Sequence, residues 1–423
     1  MERLKIALVG CGGMGRRHLA GYAELSHTDF RNVELVAVCD LNEQNAEDLA
    51  DEARALTGSR PRVFQSITTM TEAIDGLAAV DVVVDVRAHH RVAIECLERG
   101  LHLQIEKPLG LTMRACNLIV KAAKRQERVL SVAENYRRDP MNRLVRALID
   151  DGAIGDPHMM IEAGVRGGDS IQITPWRHSK LHGGLTLDVG VHSADVMRYF
   201  LGEAEAVAGT LRLLEPTRRR GGDGGPGGFY ARWTNQFPET LRATAEDALW
   251  ATVRFRGGAV AQWTYNAAGR GLGLRQRVIY GSDGSVAAPA DRTGKPVRLY
   301  RVGKPEIVGE AVLEHAPSYR LCGPAAQLFG GERPASYNLR FQEIDRKLIA
   351  LEYHEFGECV LNGRRPEVGG EEARRDVALV YAACESSMAD RFVTLDEVEA
   401  LQVDAYQREI DADLGLVEVP GQD

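Results

Sequence analysis

The sequence predicts an α/β protein of two domains. Residues 1–133 form a domain around a parallel sheet, and residues 134–423 form an α+β domain with an open, mainly antiparallel sheet. A chain of 423 residues exceeds what one hydrophobic core ordinarily organises. The first domain alternates short apolar runs with amphipathic stretches, which is typical of βαβ units. Beyond residue 133, strands separated by turns such as Arg256-Gly257-Gly258 indicate antiparallel pairing.

The elements of the first domain follow from apolar runs and from helical periodicity. A run such as Val82-Val83-Val84 is apolar on both faces, as expected for a strand that helices cover on both sides. The predicted strands are Lys5–Val9, Val33–Cys39, Val63–Phe64, Val80–Val86, His102–Ile105 and Val129–Val132. The predicted helices are Gly15–Leu25, Gln44–Leu56, Val92–Arg99 and Met113–Gln126.

The second domain combines helices near its two ends with a central block of strands. One stretch, Arg218–Phe229, is rich in glycine and arginine, and we predict a mobile surface loop there because such residues cannot pack a core. Lid closure, an oligomer contact and a tolerated insertion all stay open as its role. The predicted helices are Met141–Asp150, Asp188–Phe200, 340–362 and 371–389, and the predicted strands are His158–Ala163, Val207–Leu214, Ala248–Phe255, Val260–Tyr265, Arg277–Tyr280 and Val297–Val302.

Composition excludes several classes of protein. The net charge of -8 argues against a protein that binds nucleic acid or anionic membranes through a broadly basic surface. The seven cysteines are scattered and never form C-x-x-C, so we expect reduced thiols rather than disulfides or a zinc site. The N-terminus lacks the layout of a signal peptide, and no apolar run reaches the roughly 20 residues that span a bilayer. We therefore expect a cytoplasmic protein.

A glycine-rich turn follows the first predicted strand. Gly10, Gly12 and Gly15 form G-x-G-x-x-G between a strand and a helix, and the next strand is followed by Asp40. In this context Gly10 permits a tight turn, Gly12 lets the backbone approach a pyrophosphate, and Gly15 lets helix and strand pack closely. The pattern predicts a Rossmann-type site, where the helix N-terminus binds the phosphates of a dinucleotide. Its predicted cofactor contacts are Gly10, Gly12, Gly13, Met14 and Gly15.

Asp40 selects the cofactor in this interpretation. A carboxylate at the end of the second strand accepts hydrogen bonds from the ribose hydroxyls of NAD but repels the 2′-phosphate of NADP. The following Leu41 and Asn42 supply no arginine that would reverse this preference. NAD is therefore the predicted cofactor. The alternative role of Asp40 is to cap a helix over Glu43–Leu56.

Two further motifs carry the chemistry. Glu106-Lys107-Pro108 directly follows a predicted strand, so Lys107 lies at the edge of the parallel sheet where ligands bind. Asp188 and His192 lie four residues apart at the start of a predicted helix, within a Gly-Gly-x-x-x-Asp-x-Gly-x-His motif that begins at Gly183, and share one face. An imidazole that exchanges protons near neutral pH and a lysine that stabilises an alkoxide suit the oxidation of a carbinol.

Together with Arg364-Arg365-Pro366-Glu367-Val368 after a late helix, these motifs resemble the Gfo/Idh/MocA (glucose–fructose oxidoreductase / inositol dehydrogenase) family over nearly the whole chain. The resemblance implies that Lys107 bonds the reacting hydroxyl, Asp188 orients the substrate and the catalytic group, and His192 is the general acid/base. No metal is expected, because nothing beside Asp188, His192 and His182 supplies the usual closed set of metal ligands. The resemblance also implies an open second-domain sheet through which the chain forms homodimers or homotetramers.

Further contacts are predicted around this group. Val84-Asp85 stand where many family members carry Thr-Pro, so Asp85 is either a substrate or ribose contact or the cap of the next helix, while His89 fits the histidine of that pattern. His178, Lys180 and His182 hint at an acidic or highly hydroxylated substrate. The predicted substrate contacts are Lys107, Tyr136, Arg137, Trp176, Arg177, Asp188 and His192, and the cofactor contacts outside the glycine motif are Asp40, His89, Glu106 and Lys107.

These residues predict an NAD-dependent oxidoreductase that moves a hydride between the nicotinamide and a carbinol carbon of a sugar, polyol or sugar acid. An alternative on the same site is a redox-neutral glycosidase. In that reaction a transient ketone acidifies the neighbouring C–H, a leaving group departs by elimination, and the cofactor is regenerated. A third reading is a sensor that binds NAD and sugar without catalysis, which the presence of Lys107, Asp188 and His192 argues against.

Overall fold

The structure is a computed structural model that describes residues 3–221 and 234–418. Its N-terminal sheet has six parallel strands in the order β3-β2-β1-β4-β5-β6. The strands are β1 (Leu4–Val9), β2 (Val33–Cys39), β3 (Arg62–Phe64), β4 (Ala79–Val82), β5 (His102–Glu106) and β6 (Leu130–Ala133). The helices between them are α1 (Gly13–Ser26), α2 (Glu43–Thr57), α3 (Ile67–Ala73), α4 (His89–Glu98) and α5 (Met113–Arg125).

The strand order reverses between β1 and β4, and this reversal fixes where ligands bind. In open α/β sheets the crevice lies beyond the carboxyl ends of the strands at such a switch point. Gly10 follows β1, Lys107 follows β5 and Glu134 follows β6, so all three lie at this edge. The predicted strand Val80–Val86 is too long: β4 ends at Val82, and a 3-10 turn covers Val86–Ala88.

The second sheet has nine strands in the order β16-β15-β14-β13-β7-β12-β11-β8-β17. Its neighbours pair antiparallel except β7 and β12, which are parallel, so the sheet is mixed but mainly antiparallel as predicted. A two-stranded ribbon is formed by β9 and β10. The bounds are β7 (Pro157–Gly167), β8 (Ala204–Arg212), β9 (Thr217–Arg219), β10 (Thr240–Arg242), β11 (Ala248–Phe255), β12 (Val260–Gly269), β13 (Leu274–Gly281), β14 (Gly284–Ala287), β15 (Arg298–Arg301), β16 (Ile307–Val308) and β17 (Val393–Thr394).

The remaining helices join the two sheets. The helix that begins at Phe341 packs across α1, where a Cβ at Gly21 would overlap the side chain of Ile349. The helix that begins at Gly370 covers β8. One hydrophobic cluster runs through both sheets, with Trp263 and Tyr353 among its largest buried side chains. The helices are α6 (Pro140–Asp150), α7 (Gly184–Leu201), α8 (Pro324–Leu328), α9 (Phe341–Asn362), α10 (Gly370–Ala389), α11 (Leu395–Glu399) and α12 (Arg408–Asp413).

The predicted mobile loop at Arg218–Phe229 is wrong at its start. Arg218 lies in β9 and is fully buried. Its buried charge is balanced because Nη2 donates to Asp247 at 2.5 Å, and its Nη1 donates to the carbonyl of Gly168 at 2.8 Å. An ion pair of this kind anchors the ribbon to the body of the domain. Residues 222–229 of the predicted loop lie outside the described residues.

The lengths of the helices and the state of the cysteines bear on where the protein can function. Within residues 3–221 and 234–418, no helix is long and apolar enough to cross a membrane. All seven cysteines are free, and all but Cys322 are buried.

Candidate active site

The glycine turn is shaped by close backbone approaches. Gly10 has φ +101°, and a Cβ there would overlap the carbonyl of Val83. A Cβ on Gly15 would overlap the carbonyl of Gly10. Gly12 faces open space, with no atom within 4 Å of where its Cβ would be. The first amides of α1 are therefore reachable by a phosphate group, and the turn fits the diphosphate of a dinucleotide.

Asp40 lies beside this turn. Its Oδ2 accepts from the amide of Cys11 at 2.7 Å and its Oδ1 from the amide of Asn42 at 2.8 Å. The alternative role of Asp40 as a helix cap is wrong, because Asn42 caps α2 by accepting from the amide of Gln44 at 3.0 Å. Asp40 is only partly buried, and Leu41 next to it is 93% exposed.

The second domain contributes to the same groove. Gly12, Gly13 and Arg16 on the first domain line a depression together with Trp176 and Phe237 on the second. Both domains therefore line the groove beside the glycine turn.

A second cavity lies at the junction of the domains, beyond the carboxyl ends of β4 and β5. It brings together most of the predicted residues, although they come from segments far apart in the chain. Those that line it are Met14, Asp85, His89, Glu106, Lys107, Tyr136, Trp176, Arg177, His182, Asp188 and His192.

Lys107 and Asp188 form the first charged pair of the cavity. The Nζ of Lys107 donates to the Asp188 carbonyl at 2.9 Å and to its Oδ1 at 3.1 Å. Arg177 donates from Nε to the other carboxylate oxygen at 2.7 Å, and its guanidinium stacks on Trp176 at 4.2 Å from the ring centre. Burial opposes ionisation of Asp188, but Arg177 and Lys107 outweigh it and lower the pKa of the carboxyl well below its usual range.

His192 and Glu134 form the second pair. Nδ1 of His192 lies 2.8 and 2.7 Å from the two carboxylate oxygens of Glu134. The His192 ring also stacks on Tyr136, with centres 4.0 Å apart and planes 2° from parallel. Burial raises the pKa of Glu134, but the groups around it, His192 first among them, together lower it by more than burial raises it. The pKa of Glu134 therefore lies below its ordinary value. The carboxylate therefore fixes both the ring and the nitrogen that carries its proton.

Glu106 is anchored from beneath. The His18 ring is fully buried, with Nδ1 2.8 Å from Asp81 Oδ2 and Nε2 3.2 Å from Glu106 Oε1. Burial lowers the pKa of His18, but Asp81 and Glu106 raise it well above its ordinary value, so an imidazolium lies between two carboxylates. Tyr353 on α9 donates to the same Asp81 oxygen at 2.5 Å.

The side chains of His89 and Asp85 form hydrogen bonds to backbone groups. The nitrogens of His89 lie 3.0 Å from the carbonyl of Pro108 and 3.2 Å from that of Val84. Burial lowers the pKa of His89, which favours the neutral ring. Asp85 accepts from the amide of Arg87 at 2.9 Å and so caps the 3-10 turn that leads into α4. It also lines the cavity, so its predicted contact with substrate or ribose stays a prediction.

Arg137 does not reach the cavity, contrary to its predicted substrate contact. Its Nε donates to both carboxylate oxygens of Asp195, at 2.9 and 3.0 Å, and the pair is buried. His178 also points elsewhere, because its Nε2 accepts from the amide of Gln172 at 2.9 Å. Both side chains serve the packing of the second domain.

Several residues of the site were not predicted. Glu134 has a detectable signal, because it is a carboxylate directly after a predicted strand, as Glu106 is. Arg166, Ile173 and Arg292 line the cavity from separate segments of the second domain. Their positions depend on how the mixed sheet folds, and nothing in their local sequence marks them.

Comparison with known proteins agrees with this architecture. The profile described as an oxidoreductase family with an NAD-binding Rossmann fold (GFO_IDH_MocA) matches residues 4–134, and that of the GFO/IDH/MocA C-terminal domain matches residues 142–287. Levoglucosan dehydrogenase of Pseudarthrobacter phenanthrenivorans is 29% identical over 69% of this chain and 75% of its own. Myo-inositol 2-dehydrogenase of Thermotoga maritima is 22% identical over 93% of this chain and 99% of its own.

A solved structure shows the same fold. Levoglucosan dehydrogenase in complex with NADH and levoglucosan superposes with a TM-score of 0.71 at 21% identity, over 93% of this chain and 100% of that one. The predicted fold class and NAD as cofactor are thereby confirmed. Because the two domain profiles of one family match residues 4–134 and 142–287, the chain is an NAD-binding oxidoreductase that belongs to the Gfo/Idh/MocA family.

Proposed function

We propose that the protein is a dehydrogenase that oxidises a carbinol carbon of a sugar, polyol or sugar acid with NAD, through Lys107, Asp188 and His192. One observation carries this proposal. An amine and an imidazole line one cavity next to the glycine turn, and each is anchored by its own buried carboxylate, Asp188 and Glu134. The relatives named above are sugar or polyol dehydrogenases, which supports the substrate class.

The cofactor side uses the residues of the switch point. Gly10, Gly12, Gly13, Met14 and Gly15 would bind the diphosphate, and Asp40 the adenosine ribose. Further along the groove, His89, Glu106 and Lys107 would line the nicotinamide half. The chemistry that bound NAD supplies is acceptance of the hydride from the carbinol carbon.

His192 accepts the proton of the substrate hydroxyl in this mechanism. Because Glu134 occupies Nδ1, the nitrogen that takes up the proton is Nε2. The stacked Tyr136 keeps the ring in one plane. Proton transfer of this kind commonly contributes a factor of about 100 to 10,000 to the rate.

Lys107 stabilises the alkoxide that develops as the proton leaves. Two of its three ammonium hydrogens are directed to Asp188, which leaves the third for the substrate oxygen. Arg177 shares Asp188 with Lys107 and so fixes the carboxylate between two cations. Asp188 thereby positions both the lysine and the substrate.

We extend the proposal to the setting of the enzyme. The chain acts in the cytoplasm and assembles into homodimers or homotetramers through the open face of the nine-stranded sheet. Residues 1–133 form the domain that binds the cofactor, and residues 134–423 form the domain that binds the substrate and mediates assembly, with Lys107 reaching the substrate from the first domain.

A screen of NAD reduction over sugars, polyols, sugar acids and glycosides tests this function. With the best substrate, Lys107→Ala is expected to lower kcat/KM by about 100- to 1000-fold, because the alkoxide loses its cation. Lys304→Ala, at an exposed lysine on a turn, serves as the matched control and keeps kcat/KM within about twofold. Full activity of the Lys107→Ala enzyme would contradict the assignment.

The same screen separates the alternatives. Accumulation of NADH in step with substrate consumption supports net oxidation. Cleavage of a glycoside without accumulation of NADH supports the redox-neutral glycosidase. Tight binding of NAD and a sugar without turnover of either supports the sensor.

A further inference from the structure

The wall of the junction cavity is rich in cations. Among the described residues that line it, five are arginine or lysine and three are carboxylates. The carboxylates are Asp85, Glu106 and Asp188, and the cations are Arg17, Lys107, Arg166, Arg177 and Arg292. Four of the cations bond carboxylates: Lys107 and Arg177 share Asp188, and Arg17 and Arg292 share Asp345.

Arg166 differs from the other four. It lies near the end of β7 and is exposed, and no described side chain pairs with its guanidinium. It lines the same cavity as His192 and Asp188. A bound sugar that covered the cavity would therefore remove Arg166 from water without giving it a counter-charge, which is costly unless the sugar itself carries one.

Arg292 faces the cavity in a strained conformation. Its φ is +57°, a backbone region that side chains other than glycine seldom adopt. The guanidinium lies over Tyr136 at 5.0 Å and over Phe341 at 4.7 Å, and its Nη1 donates to Asp345 at 3.0 Å. Its Nε is buried without a hydrogen-bond partner among the described residues. Stacking on two rings and the bond to Asp345 thus fix the guanidinium at the cavity wall.

A second strained residue lines the same wall. Ile173 has φ +63°, which is costlier for a β-branched side chain than for most others. Residues in such conformations concentrate at ligand-binding sites, where the surrounding structure compensates for the strain. That Ile173 and Arg292 are both strained and both line the cavity indicates that this wall is shaped for a particular ligand.

We propose that Arg166 and Arg292 bind an anionic group of the substrate, so that the carbohydrate oxidised here carries a carboxylate or a phosphate. This inference rests on the proposed dehydrogenase function and narrows its substrate class. Guanidinium groups match both anions because their fork of N–H donors bonds two oxygens at once. The anion would dock on the second domain while the reacting hydroxyl meets Lys107 and His192.

Matched substrates test the inference. Initial rates of NAD reduction are measured for neutral sugars and for the aldonic acids, uronic acids and phosphate esters of the same sugars. Wild-type enzyme is expected to favour a charged member over its neutral parent by at least about tenfold in kcat/KM, because a hydrogen bond to a charged group is stronger than one between neutral groups. A preference for the acids identifies a carboxylate, and a preference for the esters identifies a phosphate.

The variant Arg166→Met removes the charge and keeps much of the length. It is expected to lower kcat/KM for the charged substrate by about 10- to 100-fold, mainly through KM, and to change that for the neutral parent less than threefold. The matched control is Arg212→Met, at an exposed arginine on β8 away from the cavity, which leaves both substrates unaffected. Calorimetric titration of a charged sugar into the enzyme, with and without the substitution, gives a readout that is independent of turnover.

Each outcome decides one question. If neutral sugars reduce NAD as well as or better than their acids and phosphates, the inference fails and the dehydrogenase function stands. If Arg166→Met lowers kcat/KM equally for charged and neutral substrates, or leaves kcat/KM unchanged for both, the inference also fails. If no carbohydrate of any kind reduces NAD, the proposed function itself fails and takes the inference with it.

Discussion

The cofactor groove and the substrate wall of this protein are built by different means. At the glycine turn the backbone itself is the binding surface, and Gly10 and Gly15 are required because any side chain would overlap a carbonyl. The wall of the junction cavity instead presents side chains such as Arg166 and Arg292, which come from distant segments, and His192 on it is held by the buried Glu134. The glycine turn is therefore specified by one short stretch of sequence, whereas the wall of the junction cavity forms only after the two domains have packed.

The largest effect is expected at Glu134, which positions His192. In Glu134→Gln the side chain no longer fixes the proton on Nδ1, so kcat is expected to fall by about 1000-fold while KM changes little. The pH dependence of kcat should also change, which a purely structural role would not cause. The measurement is a set of steady-state pH profiles.

A matched control for this variant is Glu205→Gln, at an exposed position on β8. It is expected to keep wild-type kcat and pH dependence. If Glu134→Gln behaves as this control does, catalysis does not depend on the buried carboxylate, and the proposed positioning of His192 by Glu134 is wrong.

This contrast explains what could be predicted from the sequence. The parallel sheet, the glycine turn, Lys107, Asp188 and His192 follow local patterns that strand ends and helix faces impose. The position of Glu134 beside His192 and the positions of Arg166 and Arg292 on the cavity wall depend on tertiary packing. The predicted substrate contact of Arg137 is wrong for the same reason, because packing pairs its guanidinium with Asp195. The predicted mobile loop is wrong at Arg218 for the same reason. The glycine-rich neighbourhood predicts a loop, but the ion pair with the buried Asp247 holds Arg218 in β9.

A medium effect is expected at Glu352, on the helix α9, which packs against α1. Both of its carboxylate oxygens are buried without a hydrogen-bond partner among the described residues. Burial raises the pKa of Glu352 to about 8, with Glu106 and Glu134 adding to the shift and Arg138 and His18 opposing it. The folded protein thus keeps this proton up to about pH 8, whereas the unfolded chain releases it near 4.5.

This difference makes the folded protein less stable as pH rises from about 5 to about 8. Because Glu352→Gln cannot ionise, its free energy of unfolding relative to wild type should rise by roughly 3 kcal/mol over that range. Urea unfolding at both pH values measures it, with Glu205→Gln as the control that shows no such trend. An unchanged difference between pH 5 and pH 8 would mean that Glu352 is ionised in the folded state.

The smallest effect separates the two uses of glycine in the turn. Gly15→Ala is expected to lower the free energy of unfolding of the NAD-free protein by about 2 kcal/mol, because its Cβ overlaps backbone. Gly12→Ala should cost less than about 1 kcal/mol, because its Cβ meets open space, yet still weaken NAD binding at least about tenfold. Urea unfolding and calorimetric NAD titration measure the two quantities.

For this pair, the contradicting result is a Gly12→Ala protein that is as destabilised as Gly15→Ala but binds NAD normally. Gly12 would then serve packing rather than phosphate approach, and the backbone of the turn would not be the binding surface.

The central claim is that an amine and an imidazole meet the substrate opposite the nicotinamide. A crystal structure of the enzyme with NADH and a bound substrate tests it most directly. The claim predicts one substrate hydroxyl within about 3 Å of both Lys107 Nζ and His192 Nε2, with its carbon against C4 of the nicotinamide. A substrate whose reacting carbon meets C4 while both side chains lie out of hydrogen-bond reach would contradict it.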